Sequence, residues 1–299
     1  MTNHEATEAI SDGLAAAVEV AAASVVTVEA RRRIAATGIA WSDDTVLTAN
    51  HVVERDDITI RTADGTELTA TLAGRDPGTD CAVLRVSGGT LTPAVRASSP
   101  AKVGHLVLAL GRPETDIRAS LGIINRVGGA WRTFRGGTVD GFLQAGVEML
   151  PGFSGGPLIN AAGESLAMNS SQLGRGSGMA IPLAALAPIV EQLLSQGRIR
   201  RAYLGIGTQA AALPQALSAK VGGQAAGLLI TSVEPASPAD KGGLLMGDIL
   251  VKLAGSVVDG ADSLQAQLGG DRVGVATPAT VLRGGETLDL TVTPGERGG

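Results

Sequence analysis

Short apolar runs separated by turn residues dominate the first 182 residues of the chain. Runs of this kind, bounded by glycine, proline, asparagine or aspartate, are typical of β-strands. On this basis we predict two consecutive sets of strands, the first at residues 24–28, 38–42, 45–48, 58–62, 67–73 and 81–86 and the second at residues 106–110, 117–125, 141–144, 157–160, 165–169 and 179–181. This part of the chain is therefore predicted to be mostly β.

Helical spacing of apolar residues occurs in few places. Residues 183–196 carry apolar side chains at positions i, i+3 and i+7, and Gly197 follows as a stop signal. Residues 5–22 predict another helix, which leads into the first strand. A shorter helix is expected over residues 261–268.

The segment Gly152–Leu158 has the sequence Gly-Phe-Ser-Gly-Gly-Pro-Leu and carries the strongest chemical signal. Glycines tolerate positive φ, so the chain can bend sharply around Ser154. Such a bend lets the N–H of Ser154 and a neighbouring N–H point at the position where an oxyanion forms during acyl transfer. The segment therefore predicts a covalent serine hydrolase.

The three histidines, His4, His51 and His105, decide which class of serine hydrolase is possible. All of them precede Ser154, whereas the nucleophile elbow of α/β-hydrolases requires a histidine after the serine. The order His, Asp, Ser of chymotrypsin-like enzymes remains open. We predict that His51 is the base, because it follows an apolar strand and a turn of small residues at the rim of a sheet.

An acid must hold the second nitrogen of the imidazole. Asp80 leads directly into the apolar run Cys81–Val86, which is typical of a buried strand. A carboxylate at the mouth of such a strand is desolvated enough to orient a histidine. Spacing alone leaves other aspartates open, namely Asp56, Asp57, Asp64, Asp76, Asp116 and Asp140.

Six segments resemble, in order and spacing, the HtrA/Deg family of serine proteases. They are Thr37–Gly38, Leu47–Val53, Asp80–Leu84, Ala109–Pro113, Gly152–Leu158 and Gly178–Pro182. Later segments resemble the PDZ domain of that family, namely Tyr203–Gly207, Val233–Ala239 and Gly243–Leu250. The resemblance covers roughly residues 24–295.

The resemblance implies a mostly β protein with a chymotrypsin-like double β-barrel protease domain followed by a C-terminal PDZ domain. Residues 1–23 are expected to be helical or partly disordered, and residues 24–196 to form the protease domain. Residues 197–202 would be a linker and residues 203–295 the PDZ domain.

The resemblance also implies the site. It selects Asp80 as the acid and thus a triad of His51, Asp80 and Ser154. The N–H groups of Gly152 and Ser154 would form the oxyanion hole. No cofactor is implied, and the scattered histidines and single cysteine fit none of the usual zinc spacings.

Residues of the PDZ-like segment would bind peptide C-termini. The loop formed by Tyr203, Leu204, Gly205 and Ile206 would hold the terminal carboxylate through backbone N–H groups. Leu264 and Leu268, on the predicted helix, would face the groove. The alternative for these two leucines is a role in the hydrophobic core alone.

The function implied by the resemblance is that of a serine endopeptidase cleaving unfolded or misfolded proteins, with a PDZ domain for substrate recruitment or regulation. One alternative is a chaperone-like or scaffolding protein that binds peptide ends and has weak or latent proteolysis. Another is an enzyme that stays silent until a peptide occupies the PDZ groove.

The chain departs from the family at Phe153, where asparagine is usual, and we expect this residue to narrow or reshape the primary specificity pocket. Family members often form trimers through N-terminal aromatic residues. No aromatic residue precedes Trp41, so a homotrimer is possible but unsupported by the sequence.

Composition excludes several classes of partner. The formal charge of −5 provides no basic surface for nucleic acid, and a single cysteine, Cys81, excludes an internal disulfide. The N-terminal residues are polar and acidic and lack the basic start of an export signal, and no apolar run approaches the length of a bilayer span. We therefore expect a cytoplasmic location for the chain as given, or the cell envelope if a leader was removed.

Overall fold

The computed structural model describes residues 3–133, 137–174 and 178–296. The chain forms two compact units, Met1–Ile199 and Arg200–Gly299. The first unit contains two closed barrels, each of six antiparallel strands, and the second is built around one main sheet. The predicted fold class, mostly β with a double barrel, is confirmed.

The first unit begins with helix α1 (Asn3–Ala22), where the sequence predicts one. The helix buries Ala17 and Ala21 against apolar side chains of the first and second barrels. The first barrel follows and closes in the order β1-β2-β3-β6-β5-β4. Its strands are β1 (Val25–Glu29), β2 (Ala36–Ala40), β3 (Thr45–Ala49), β4 (Ile58–Arg61), β5 (Glu67–Asp76) and β6 (Cys81–Ser87).

The second barrel closes in the order β11-β14-β13-β12-β7-β8. A two-stranded sheet of β9 and β10, which the sequence did not predict, lies outside this barrel. The strands are β7 (Leu106–Gly111), β8 (Arg118–Gly128), β9 (Trp131–Arg132), β10 (Thr138–Val139), β11 (Phe142–Ala145), β12 (Pro157–Asn160), β13 (Ser165–Asn169) and β14 (Met179–Pro182).

Helix α2 (Leu183–Gln196) follows β14 at the predicted position and ends at Gly197, which has φ 73°. Its apolar face packs into a core shared by both barrels. The first barrel contributes Ile39, Leu47 and Val83 to this core, and the second contributes Met168 and Ile181. Because aromatic residues make up only 2% of the chain, this contact depends on close packing of aliphatic side chains.

The second unit has its main sheet in the order β16-β17-β18-β20-β21, so β16 is an edge strand. Helix α5 is two residues shorter than the predicted helix and contacts β16. The elements are β15 (Ala202–Tyr203), β16 (Ile206–Ala212), α3 (Gln215–Lys220), β17 (Ala226–Val233), α4 (Pro238–Lys241), β18 (Ile249–Leu253), β19 (Ser256–Val257), α5 (Ala261–Ala266), β20 (Thr277–Arg283), β21 (Glu286–Val292) and β22 (Gly295–Glu296).

A buried carboxylate ties the turn before β18 to β20. Asp248 is 1% exposed, and both of its oxygens accept hydrogen bonds of 2.7 Å from Arg283. The N–H of Leu245 donates to Asp248 at 2.8 Å. Burial alone raises the pKa of the Asp248 carboxyl, but the hydrogen bonds from Arg283 and Leu245 and the charge of Arg283 outweigh it, and the net pKa is lowered.

We expect Asp248→Asn to lower the free energy of unfolding of the second unit by about 2 kcal/mol at pH 7, because the Arg283 side chain loses its ionised partner. A lowered folded-state pKa means that this stabilisation is present above the unfolded pKa and is lost as pH falls through the folded pKa. The difference in free energy of unfolding between wild type and Asp248→Asn should therefore become smaller below about pH 4.

Urea unfolding at pH 7 and pH 3, followed by circular dichroism, measures this difference. Asp289→Asn is the matched control, because Asp289 is exposed on β21 and bonds only the Thr280 hydroxyl among the described residues. Equal stability of Asp248→Asn and wild type at pH 7 would contradict the prediction.

Candidate active site

His51 and Asp80 form a close pair on the first barrel. His51 lies in the short 3-10 turn Asn50–Val52 that follows β3, and its Nδ1 is 2.8 and 3.0 Å from the two carboxylate oxygens of Asp80. The His51 N–H also donates to Asp80 Oδ1 at 3.0 Å. The Asp80 side chain is 2% exposed and the imidazole 13%, so the pair is largely shielded from water.

A tight turn presents Asp80 to the imidazole. Asp80 has φ 56°, a left-handed conformation that aspartate tolerates better than most residues. The turn before it is built by Asp76, whose carboxylate accepts hydrogen bonds from the N–H groups of Gly78 and Thr79 and from the Thr79 hydroxyl. Asp76, an alternative acid on spacing alone, therefore shapes the turn that carries Asp80.

Cys81, the next residue, is fully buried at the start of β6. Burial raises the pKa of its thiol, and the charges of Asp76 and Asp80 raise it further. The thiolate, which is the nucleophilic form, is thus disfavoured. Cys81 is a core residue rather than a competing nucleophile.

Ser154 is the second residue of the second of two consecutive tight turns on the second barrel. In the first turn, the Phe153 N–H donates to Leu150 O at 3.1 Å, and Gly152 has φ 90°. In the second, the Gly156 N–H donates to Phe153 O at 3.0 Å, and Gly155 has φ 86°. A positive φ at the third position is typical of type II turns and strongly favours glycine.

The two turns form one loop, residues 150–156, called here the nucleophile loop. Thr37 of β2 connects this loop to the first barrel. Its hydroxyl donates to Gly152 O at 2.7 Å and accepts from the Arg112 N–H at 2.8 Å. The Thr37 N–H donates to Ser154 O at 3.3 Å. A Cβ at Gly155 would lie 2.2 Å from Thr37 O, so only glycine allows the nucleophile loop to approach β2 this closely.

Phe153 points away from the solvent. The ring is 0% exposed and packs in the core of the second barrel with Val107 and Leu158. It also fills the space above Gly111, where a Cβ would lie 2.3 Å from a ring carbon. The expectation from the sequence is that Phe153 narrows or reshapes the primary specificity pocket. A ring buried in the barrel core does not line a pocket, which argues against narrowing by direct contact, and the reshaping of the pocket stays a prediction. Instead the ring anchors the loop next to Ser154.

Two serines that the sequence reasoning missed complete the surroundings of the pair. Ser170 Oγ donates to Asp80 Oδ2 at 2.5 Å. Ser171 Oγ is 2.9 Å from Ser154 Oγ and 3.5 Å from His51 Nε2. The available signal was a run of four polar residues, 169–172, at the end of a predicted strand of the second barrel.

The structure thus brings His51, Asp80 and Ser154 to one region. Among the described residues, Ser154 Oγ has no direct hydrogen bond to His51, and its side-chain partner is Ser171. The N–H groups of Gly152 and Ser154 donate to no group in the part of the chain that the structure describes. Unoccupied N–H donors next to a serine hydroxyl can bind a developing oxyanion.

The predicted peptide-binding residues lie in the second unit. Leu204, Leu264 and Leu268 are 2%, 4% and 8% exposed and belong to its hydrophobic core. Leu264 lies on α5 and Leu268 just beyond its end, and their burial favours the alternative of a core role. Ile206 begins the edge strand β16 and is half-buried. The Tyr203 hydroxyl donates to Glu234.

Gly205 has φ 80° between these residues, and a Cβ there would lie 2.3 Å from the Ser237 side chain. Glycine therefore allows the predicted loop, Tyr203–Ile206, to pack closely against Ser237 at the start of α4.

Two antiparallel barrels, one carrying a histidine–carboxylate pair and the other a serine enclosed by glycines, define the class of chymotrypsin-like serine hydrolases. A family model described as a trypsin-like peptidase domain matches residues 36–168. A second, described as a PDZ domain, matches residues 202–293.

Similar proteins narrow this class. A probable periplasmic serine endoprotease, DegP-like, from Ectopseudomonas mendocina (strain ymp) is 37% identical over 263 residues, which is 85% of this chain and 54% of that protein. A protein of the same description from Halomonas elongata is 35% identical over 276 residues, or 90% of this chain and 57% of that protein. The chain spans about half the length of the curated relatives it matches.

Solved structures agree. The HtrA-type protease AlgW with tripeptide is 30% identical, with a TM-score of 0.76 over 96% of this chain and 98% of that one. The serine endoprotease from Yersinia pestis is 28% identical, with a TM-score of 0.77 over 94% and 97% of the two chains. The chain belongs to the HtrA-type serine proteases.

The expected cytoplasmic location is wrong. The similar proteins are named periplasmic endoproteases, which points to the cell envelope. None of the helices formed by residues 3–133, 137–174 and 178–296 combines the length and the apolar character needed to cross a membrane.

We expect Thr37→Val to uncouple the nucleophile loop from the first barrel. The variant keeps the shape of the side chain but leaves Gly152 O and the Arg112 N–H without their buried partner, which costs about 2 kcal/mol of stability. Labelling of Ser154 by a fluorophosphonate should slow about tenfold, because the loop loses one of its two hydrogen bonds to Thr37.

Thr27→Val is the matched control, because Thr27 is an equally buried threonine on β1 whose hydroxyl donates to Glu114 O. It should lose stability while the labelling rate stays within about twofold of wild type. If both variants label at the same rate, Thr37 does not position the loop.

Proposed function

We propose that this chain is a serine endoprotease that hydrolyses unfolded or misfolded polypeptides, with His51 as base, Asp80 as orienting acid and Ser154 as nucleophile. The observation that carries the proposal is the 2.8 Å contact between His51 Nδ1 and a buried Asp80 oxygen. On the other side of the imidazole, the Ser171 hydroxyl lies between His51 Nε2, at 3.5 Å, and Ser154 Oγ, at 2.9 Å. Family membership supports a protease over a purely chaperone-like protein.

In the proposed reaction, His51 Nε2 takes the proton of the Ser154 hydroxyl as the oxygen attacks a peptide carbonyl. Asp80 accepts the Nδ1–H hydrogen bond, fixes the tautomer and stabilises the imidazolium. The N–H groups of Gly152 and Ser154 hold the oxyanion, and one such donor is worth roughly 3 kcal/mol. The imidazolium then protonates the leaving amine, and water releases the acyl group.

Ser170 helps to hold the Asp80 carboxylate in place next to His51. Ser170 donates to Asp80 Oδ2, the carboxylate oxygen nearer to Nδ1, so the carboxylate is held by the imidazole and by a hydroxyl from the other barrel. Ser154 must rotate towards Nε2 before transfer, and contacts of this kind often tighten only when substrate is bound.

We assign proteolysis to residues 24–196 and peptide recognition to residues 203–295, with 197–202 as the connection. Two features support recognition of peptide C-termini in the second part. The edge strand β16 can accept an added strand, and the Tyr203–Ile206 loop precedes it. A related HtrA-type protease has been solved with a tripeptide.

The similar proteins support the cell envelope as the compartment.

We expect Ser154→Ala to abolish both casein hydrolysis and fluorophosphonate labelling, because the nucleophile is gone. Asp80→Asn should lower kcat/KM by roughly 10⁴-fold through the wrong imidazole tautomer. Asparagine also tolerates the left-handed backbone at this position, so the turn is kept.

Ser87→Ala serves as the matched control, because Ser87 is an exposed serine at the end of β6 whose hydroxyl bonds only Thr69 O among the described residues. Its activity should equal that of wild type. Casein hydrolysis that persists in a pure Ser154→Ala preparation would refute the assignment.

We expect a peptide with a free C-terminal carboxylate to bind the chain at least tenfold more tightly than the same peptide with a C-terminal amide, because the loop would recognise the charge. Fluorescence anisotropy with Ser154→Ala, which cannot cleave the probe, measures this ratio.

Equal affinities would refute carboxylate recognition. Adding the free-acid peptide to active protein tests the regulatory alternative at the same time. A rise in the rate of casein hydrolysis indicates that the bound peptide activates the protease, whereas an unchanged rate indicates recruitment only.

A further inference from the structure

Ser171 occupies the position between the nucleophile and the base. It follows β13 and is exposed, whereas Ser154 is 6% exposed. Two groups of Ser171 contact Ser154 Oγ, namely its hydroxyl at 2.9 Å and its backbone N–H, which donates at 3.3 Å. Ser154 therefore has its hydrogen-bonding capacity directed at Ser171 rather than at His51.

The two contacts of the Ser171 hydroxyl are unequal. A separation of 2.9 Å from Ser154 Oγ is within the usual range for hydroxyl hydrogen bonds, whereas 3.5 Å from His51 Nε2 is beyond it. A proton relay from Ser154 through Ser171 to His51 would need two short contacts. The geometry instead matches a hydroxyl that holds Ser154 and leaves Nε2 without a short bond.

We propose that Ser171 is a positioning residue that holds the Ser154 hydroxyl in a resting orientation, away from His51, and releases it when substrate occupies the site. This inference rests on the proposed function. It assigns to Ser171 control over the fraction of molecules with a reactive nucleophile.

The physical basis of this proposal is that the χ1 angle of a serine side chain has three staggered positions. The Oγ of Ser154 can occupy staggered positions of similar intrinsic energy, so one hydrogen bond decides which of them is populated. A typical hydrogen bond shifts such an equilibrium roughly fivefold. Because Ser171 is exposed and Ser154 is not, an incoming polypeptide meets Ser171 first and can replace its contact with Ser154.

Fluorophosphonate labelling of wild type, Ser171→Ala and Ser171→Thr tests this proposal. The probe is small and reports the reactivity of Ser154 with little substrate recognition. We expect Ser171→Ala to label roughly fivefold faster than wild type, because the competing hydroxyl is absent. Ser171→Thr keeps the hydroxyl and should label at the wild-type rate.

A merely structural role for Ser171 would make Ser171→Ala slower or leave it unchanged, and either result overturns the inference. The double variant Ser154→Ala, Ser171→Ala should remain unlabelled, which assigns the signal to Ser154. Equal labelling of wild type and Ser171→Ala removes the holding role and leaves the proposed protease function intact. If neither protein is labelled, both the inference and the proposed function fail.

Discussion

The contact between the two barrels is the constraint on which the whole site depends. The first barrel carries His51 and Asp80, and the second carries Ser154, so neither barrel holds all three residues of the proposed triad. The shared aliphatic core, closed by α2, sets the distance between the barrels. Thr37, on β2, then bonds the nucleophile loop through its hydroxyl and its N–H. These two bonds fix the position of Ser154 relative to the first barrel.

Hydrogen bonds around this contact form a connected set. Arg112 donates its N–H to Thr37 and its guanidinium to the carbonyls of Ala22 and Val25. The buried guanidinium thereby joins the end of α1 to the start of the first barrel. The Arg112 backbone N–H continues this set to the Thr37 hydroxyl, which in turn bonds Gly152 O. Burial lowers the pKa of Arg112, with the charge of Asp116 acting in the opposite direction, so the guanidinium depends on these carbonyl partners.

The active-site loop shows how a departure from a family pattern can be absorbed by packing. Phe153 replaces a polar residue beside the nucleophile, yet its ring occupies a space that only Gly111 leaves open. Hydrophobic burial therefore contributes to holding the turn that precedes Ser154. Ser171 contacts the hydroxyl of Ser154 from another side, and in the proposed resting state it takes the place of His51 as the partner of that hydroxyl.

Local patterns in the sequence determined the twelve strands of the two barrels, both long helices, the chain order of His51, Asp80 and Ser154, and the glycines of the turns around Ser154. These depend on periodicity and on backbone preferences, which act over a few residues. Only the tertiary structure decided that Asp76 builds a turn while Asp80 meets the imidazole, that Phe153 enters the core, and that Ser170 and Ser171 reach the site. The hydrogen bond from Ser170 to Asp80 joins residues 90 positions apart, and such contacts follow from barrel closure and packing rather than from any local pattern.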